Sequence, residues 1–203
     1  MTRHATAAAF LIGLALTATP AAAAFVADVE ANDTLATAQN IDGFFSLEAN
    51  AEIANSTTMA HATVIGAAHS SYDIYRFTVA AANTLAYFDI DHASHFDSVV
   101  SVFNAAGVQL AMNDDTPFSA DPGSSFRIDS YLTYTFANAG QYYVRVSSHR
   151  LGAESSTGTY ALHTSIQGHA TGAVPEPGAW ALMILGFGAA GASLRDSRRR
   201  AAA

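Results

Sequence analysis

The chain has 203 residues, with no cysteine, no lysine and a formal charge of −8. The lack of cysteine excludes a disulfide framework and thiol chemistry, so packing or bound ions must hold the fold. Residues 25–172 carry four arginines against fifteen acids, a charge of −11 that disfavours nucleic acid and anionic lipid as partners and suits divalent cations.

Residues 1–24 read as a secretory signal peptide. Arg3 supplies the charged start, an apolar run covers 7–16, and Ala22 and Ala24 form an A-x-A site with cleavage expected before Phe25. The run is too short to span a bilayer. Such a segment implies passage through the Sec export machinery. The length left between the two ends suits one domain over 25–170 with a core of its own.

The domain opens on DVEANDTLATAQ (28–39), which is polar and then briefly helical in period, with Asn32, Asp33 or Thr34 able to cap a turn. Thereafter the period is two. Strands are expected at 43–47, 62–65, 74–79, 85–90 and 98–103, then at 108–112, 131–136, 142–147 and 159–166. Residues 49–60 read as a helical turn or a loop. Asn104 to Gly107 and Asn138 to Gly140 read as hairpin turns. Between 131 and 147 the alternation predicts an antiparallel pair with one buried face. About eight or nine short strands without a long helix argue for an all-β, antiparallel β-sandwich with jelly-roll-like connections.

Residues 171–203 form a linker and tail of three parts. Val174, Pro175, Glu176 and Pro177 make a rigid turn. From Gly178 to Leu194, 17 residues give about 26 Å of helix, close to the roughly 30 Å of a hydrocarbon core. Arg195, Arg198, Arg199 and Arg200 follow, which favours a cytoplasmic end. In this order the three parts resemble the PEP-CTERM sorting signal of Gram-negative bacteria. The resemblance implies a transient transmembrane helix in the inner membrane and cleavage by an exosortase near Pro175–Pro177. It further implies a setting of exopolysaccharide production and biofilm.

The domain itself resembles the bacterial pre-peptidase C-terminal domains. The resemblance is carried by Glu30-Ala31-Asn32-Asp33-Thr34 with Ala36-Thr37-Ala38-Gln39, by the run from Asp73 to Val79, by the run from Asp97 to Phe103 followed by Asn113-Asp114-Asp115, and by Tyr142 to Val146. It covers roughly 28–166. It implies a non-catalytic β-sandwich module, of a kind often appended to secreted proteases, that assists binding or secretion.

Two groups of oxygen ligands are candidates for calcium, which takes six to eight oxygens. The alternating Asp28, Glu30 and Asn32 could curl around one ion with Asp33, and Asp73 would come from an adjacent strand. Some members of the resembled family bind calcium in these two regions, which carries Glu30, Asn32, Asp33 and Asp73 over as candidates. The plainer alternative is that Asn32 and Asp33 only cap a turn. A second group is Asp114 and Asp115 with Asp121 and Asp129, which lacks EF-hand spacing and is open to the alternative of a solvated acidic loop.

His92 and His95 near Asp89, Asp91 and Asp97 read as a polar loop between strands, since His-x-x-His offers only two ligands. No GxSxG elbow, cysteine nucleophile or glycine-rich phosphate loop is present, so no enzyme is expected. Adjacent Asp114 and Asp115 on a strand would point to opposite faces, against a two-carboxylate glycosidase. The expectation is therefore a non-catalytic exported surface or extracellular-matrix protein, stabilised by calcium and associated with exopolysaccharide. The alternative is a carbohydrate- or protein-binding module acting through an exposed tyrosine face that includes Tyr131 and Tyr143.

Overall fold

Runs rich in β-branched and aromatic residues, apolar at every second position, become strands when one face can be buried. The computed structural model follows that logic, and it describes residues 25–68, 71–93, 96–117, 122–124, 126–149 and 158–172. All of these belong to one unit spanning 22–174. Ten strands lie among the described residues: β1 Phe25–Ala27, β2 Gln39–Asn40, β3 Ala60–Ala68, β4 Asp73–Val79, β5 Thr84–Asp91, β6 Ser98–Asn104, β7 Gln109–Asn113, β8 Tyr131–Phe136, β9 Gly140–Ser148 and β10 Gly158–Ile166. The one short helix among them is η1, a 3-10 turn at Asp42–Phe44.

The strands form two five-stranded sheets, ordered β1-β3-β10-β5-β8 and β2-β4-β9-β6-β7. β1 and β2 pair in parallel with β3 and β4; the other pairs are antiparallel. From β3 onward the chain crosses between sheets at every connection except β6 to β7, which is the jelly-roll order. The core lies between the sheets. Phe77 of β4 packs on Phe88 of β5 and Phe136 of β8 at centroid distances of 5.5 and 5.8 Å, and Phe136 meets Tyr142 of β9 at 4.3 Å. Leu162, Ile166, Ile90, Val100 and Val144 complete this dry layer, all fully buried.

Two expectations are corrected. Residues 131–136 and 142–147 do not form a hairpin: β8 pairs with β5, and β9 lies in the other sheet between β4 and β6. Alternation buries Leu132 and Phe136 equally well in either sheet, so it cannot name the partner. Residues 43–47 hold the 3-10 turn and a single bridge from Ser46 to His61 rather than a strand. The segment 28–39 forms a turn in which Thr37 N donates to Thr34 O at 3.1 Å, and it ends in β2. β1 and β2, of three and two residues, were not anticipated; they are held by their neighbours and not by a pattern of their own. By contrast, Asn104–Gly107 is a hairpin turn, with Gly107 at φ +77 and its N donating to Asn104 O at 2.9 Å.

Among the described residues no helix is long and apolar enough to cross a membrane. The signal segment with Ala22 and Ala24, the helix expected after Gly178, Val174 to Pro177 and the arginine cluster all lie outside the described residues.

Candidate functional site

The outer face of the first sheet is where polar residues are covered. In β3, β5 and β10 the inward positions are Val64, Phe88, Ile90, Tyr160 and Leu162, so His61, Thr63, Asp89, Asp91, His163 and Ser165 point outward. A bare sheet would leave these six in water. Instead every one is at least nine-tenths buried. The cover comes from the loop between η1 and β3 and from the segment around Gly123. The loop is clasped by Asn50, whose N–H donates to Ser56 Oγ at 3.1 Å and whose Oδ1 accepts from Glu52 N at 2.9 Å. A side chain at Gly123 would strike Asp91 Oδ2 and the Glu52 carbonyl, at 2.7 and 2.9 Å, so this segment sits directly on the site.

Under the cover, the β3–β10–β5 register places His163 between Thr63 and Asp89. His163 Nδ1 is 2.8 Å from Thr63 Oγ1. Its Nε2 stands 3.3 Å from Glu52 Oε2 and 3.4 Å from Asp91 Oδ2. The other Glu52 oxygen meets His92 Nε2 at 2.6 Å, and that bond holds the His92 pKa above its ordinary value. Asp129 is fully buried nearby and accepts from Ser124 Oγ at 2.7 Å; burial raises its pKa, with Asp91 adding to the effect. Burial, followed by the His163 ring, lowers the His61 pKa. Beside this cluster is a recess lined by Ile53, Asn55, Pro122, Tyr87, Asp89 and Tyr131, where the two tyrosine rings are 6.2 Å apart.

The first predicted calcium group is brought together in part. Asn32 is buried; its Nδ2 donates to Asp28 Oδ1 at 2.9 Å, and its carbonyl accepts from Ile74 N at 3.1 Å, next to buried Asp73. Tyr75 donates to Asp28 Oδ1 at 2.9 Å and Tyr160 to Asp73 Oδ2 at 2.6 Å. The two hydroxyls also meet each other. Burial holds both tyrosine pKa values far above the ordinary range, helped at Tyr75 by Asp28 and Asp73 against an opposing bond from Tyr160, and at Tyr160 by Tyr75 and Asp73, so both remain donors. Asn32 Oδ1 is buried and takes no hydrogen bond among the described residues, an oxygen of the kind calcium takes. Glu30 and Asp33 are exposed.

In the second predicted group, Asp114 and Asp115 follow the end of β7 instead of lying on it, so the strand argument for opposed side chains fails. Each offers an oxygen that, with one from Asp97, lies within 4.8 Å of the others. Asp114 also meets His149 Nδ1 at 2.6 Å. Asp121 and His95 lie outside the described residues, and the Asp129 carboxylate belongs to the cover over the first sheet. Tyr131 and Tyr143 do not share a face. Tyr131 stands half-buried on the first sheet, while Tyr143 is buried on the second, its hydroxyl accepting from Gln141 Nε2 at 3.0 Å.

Family models match two stretches of the chain: residues 71–148 match the bacterial pre-peptidase C-terminal domain, and residues 173–200 match the PEP-CTERM protein-sorting motif. This is the protein type that both resemblances describe. The pre-peptidase C-terminal match runs from β4 to β9, taking in Asp73, Asp91 and Asp114 but neither Asn32 nor His163. The PEP-CTERM motif implies an exported protein processed by an exosortase.

Among solved structures, the pre-peptidase C-terminal domain of Bacillus anthracis collagenase is 18% identical over 50% of this chain and 86% of its own, with a TM-score of 0.37. Aeromonas hydrophila PliG, a periplasmic inhibitor of g-type lysozyme, is 16% identical over 54% and 89%, with a TM-score of 0.41. The C-terminal CBM6 of LamC from Zobellia galactanivorans is 17% identical over 50% and 75%, with a TM-score of 0.31. No curated protein matches the chain.

The residues that sequence reasoning missed are Glu52 and His163, and Asp91 figured only as a neighbour of His92. Polar residues at outward strand positions normally face water, and nothing in period two tells a covered outer face from a bare one. Apolar Ile53 in the loop segment 49–60 is buried in the fold, but a lone apolar residue in a polar loop does not mark it in sequence as a cover.

Proposed function

We propose that the chain is a non-catalytic surface or extracellular-matrix protein, delivered through exosortase processing and associated with exopolysaccharide in a biofilm, with calcium stabilising its N-terminal segment. The observation that carries this reading is the PEP-CTERM match at 173–200 placed directly after a single β-sandwich. Asp28, Asn32 and Asp73 would hold the calcium ion, with Glu30 and Asp33 as nearby acids. A bound cation there would tie the segment before β2 to the start of β4. The test is mass spectrometry of the protein from cell-surface and medium fractions. A chain ending near Val174 supports the reading, provided that a host lacking its exosortase retains Arg200. Intact chains in the inner membrane of the normal host would overturn it.

A second reading is favoured by the recess between Tyr87 and Tyr131, with Asn55 and Asp89 beside them. Paired aromatic faces flanked by polar groups suit a sugar ring. On this reading the domain binds polysaccharide through the first sheet. Pull-down with the host's own polysaccharide should then weaken on Tyr131→Ala and remain unchanged on Tyr143→Ala. Equal retention of both variants would remove it.

A further inference from the structure

We propose that Glu52, Asp91 and His163 form a binding site for a divalent transition-metal ion, zinc being the simplest occupant, that fastens the covering loops to the first sheet. The three residues come from separate parts of the chain: the loop between η1 and β3, the end of β5, and the middle of β10. Each offers a donor atom, and the three atoms lie within 4.8 Å of one another.

The spacing is that of ligands more than that of hydrogen-bonded partners. His163 Nε2 is 3.3 and 3.4 Å from the two carboxylate oxygens and makes no hydrogen bond among the described residues. Two ligands at about 2.0–2.1 Å from a tetrahedral ion stand ~3.3–3.4 Å apart. Asp91 is fully buried, and neither of its oxygens takes a hydrogen bond among the described residues. A carboxylate in such a place is strongly disfavoured unless a charge or donor meets it. Two carboxylates and a neutral imidazole balance an ion of charge +2.

The surroundings orient the donors. Thr63 Oγ1 at His163 Nδ1 fixes the ring with Nε2 toward the carboxylates, and His92 holds the far oxygen of Glu52. Gly123 keeps the cover close, since any larger residue there would press on Asp91 Oδ2 and the Glu52 backbone. The donor set separates this site from a calcium site: an imidazole nitrogen suits zinc and its neighbours, whereas calcium takes oxygen.

The competing account is an imidazolium held between two carboxylates with no metal. The test uses the exported protein recovered from its host, stripped with a chelator and titrated with Zn²⁺ alone in calorimetry, with Co²⁺ as a spectroscopic probe. The expected result is one equivalent of tight zinc, a higher melting temperature, and the intense visible absorption of tetrahedral Co²⁺. Asp91→Asn and His163→Gln should each lose that equivalent by at least tenfold in Kd. His149→Asn and Asp73→Asn should keep it, which separates the site from surface histidine and from the calcium reading above. Circular dichroism identifies variants that fail to fold; if His163→Gln does, Asp91→Asn and Glu52→Gln still decide. Zinc that binds equally to Asp91→Asn overturns the proposal. So does a stripped wild type whose melting temperature ignores zinc, the result expected of the imidazolium pair.

Discussion

Tyr160 of β10 reaches across the sandwich to donate its hydroxyl to Asp73 at the start of β4, at 2.6 Å, with both residues buried. The bond links the two sheets through the only kind of contact that a dry core tolerates for a carboxylate, one with a donor of its own. Tyr160→Phe keeps the ring packing on Phe96 and removes the hydroxyl that donates to Asp73 and meets Tyr75. The expected cost is about 1–3 kcal/mol. Urea unfolding followed by fluorescence measures it. An unchanged midpoint would mean that Asp73 is already satisfied by other partners.

The same ring explains a glycine. Gly66 of β3 is paired directly with Tyr160, and a methyl group at Gly66 would collide with the Tyr160 ring and hydroxyl. Gly66→Ala should therefore displace the ring and weaken the bond to Asp73 in one step, at a cost of about 1–3 kcal/mol from overpacking. Because both changes act through one side chain, Gly66→Ala and Tyr160→Phe should combine to less than the sum of their separate effects. A double-mutant cycle with full additivity contradicts this coupling.

These contacts show what the sequence could and could not convey. Strand positions were legible because Tyr131–Phe136 and its like alternate cleanly, and β8 falls on the residues that the period marks out. Pairing was not, because the faces of β8 and β9 would be buried equally well beside each other or in separate sheets. The Asn32–Asp73 proximity was readable only through a family resemblance, since forty residues separate the two. Glu52, Asp91 and His163 were beyond reach for a further reason. Their burial depends on a loop with no periodicity, and nothing local marks a loop as a cover.

His61 gives the covered face a pH signature. Its folded pKa lies below the unfolded value, mainly through burial and then through His163, against the opposing carbonyls of Met59 and Ser56. A depressed histidine means that the unfolded chain takes up the proton first. Stability is therefore full above the ordinary histidine pKa of about 6.5 and declines as pH falls below it. The slope from this one residue is at most about 1.4 kcal/mol per pH unit. Calorimetric melting of metal-stripped protein between about pH 7 and 5 should show a steeper decline for wild type than for His61→Gln. Parallel curves would show that the ring is protonated as easily in the folded state as in the unfolded one.

The calcium reading meets its sharpest test at Asn32, because this residue has no charge to confuse the result. Its Oδ1 is buried and takes no hydrogen bond among the described residues, while its Nδ2 is committed to Asp28. If calcium supplies the missing partner for that oxygen, the ion at 100 times its Kd adds ~2.7 kcal/mol, or roughly 5–10 °C in melting temperature for a domain of this size. Asn32→Asp should keep or increase that rise, since it adds a charged oxygen at the same place. Asn32→Leu should abolish the rise while leaving zinc-dependent stabilisation at Glu52, Asp91 and His163 intact. Millimolar calcium that leaves wild-type melting where a chelator leaves it would falsify the calcium reading, and Asn32 would then serve to hold the turn through Asp28 and Ile74 alone.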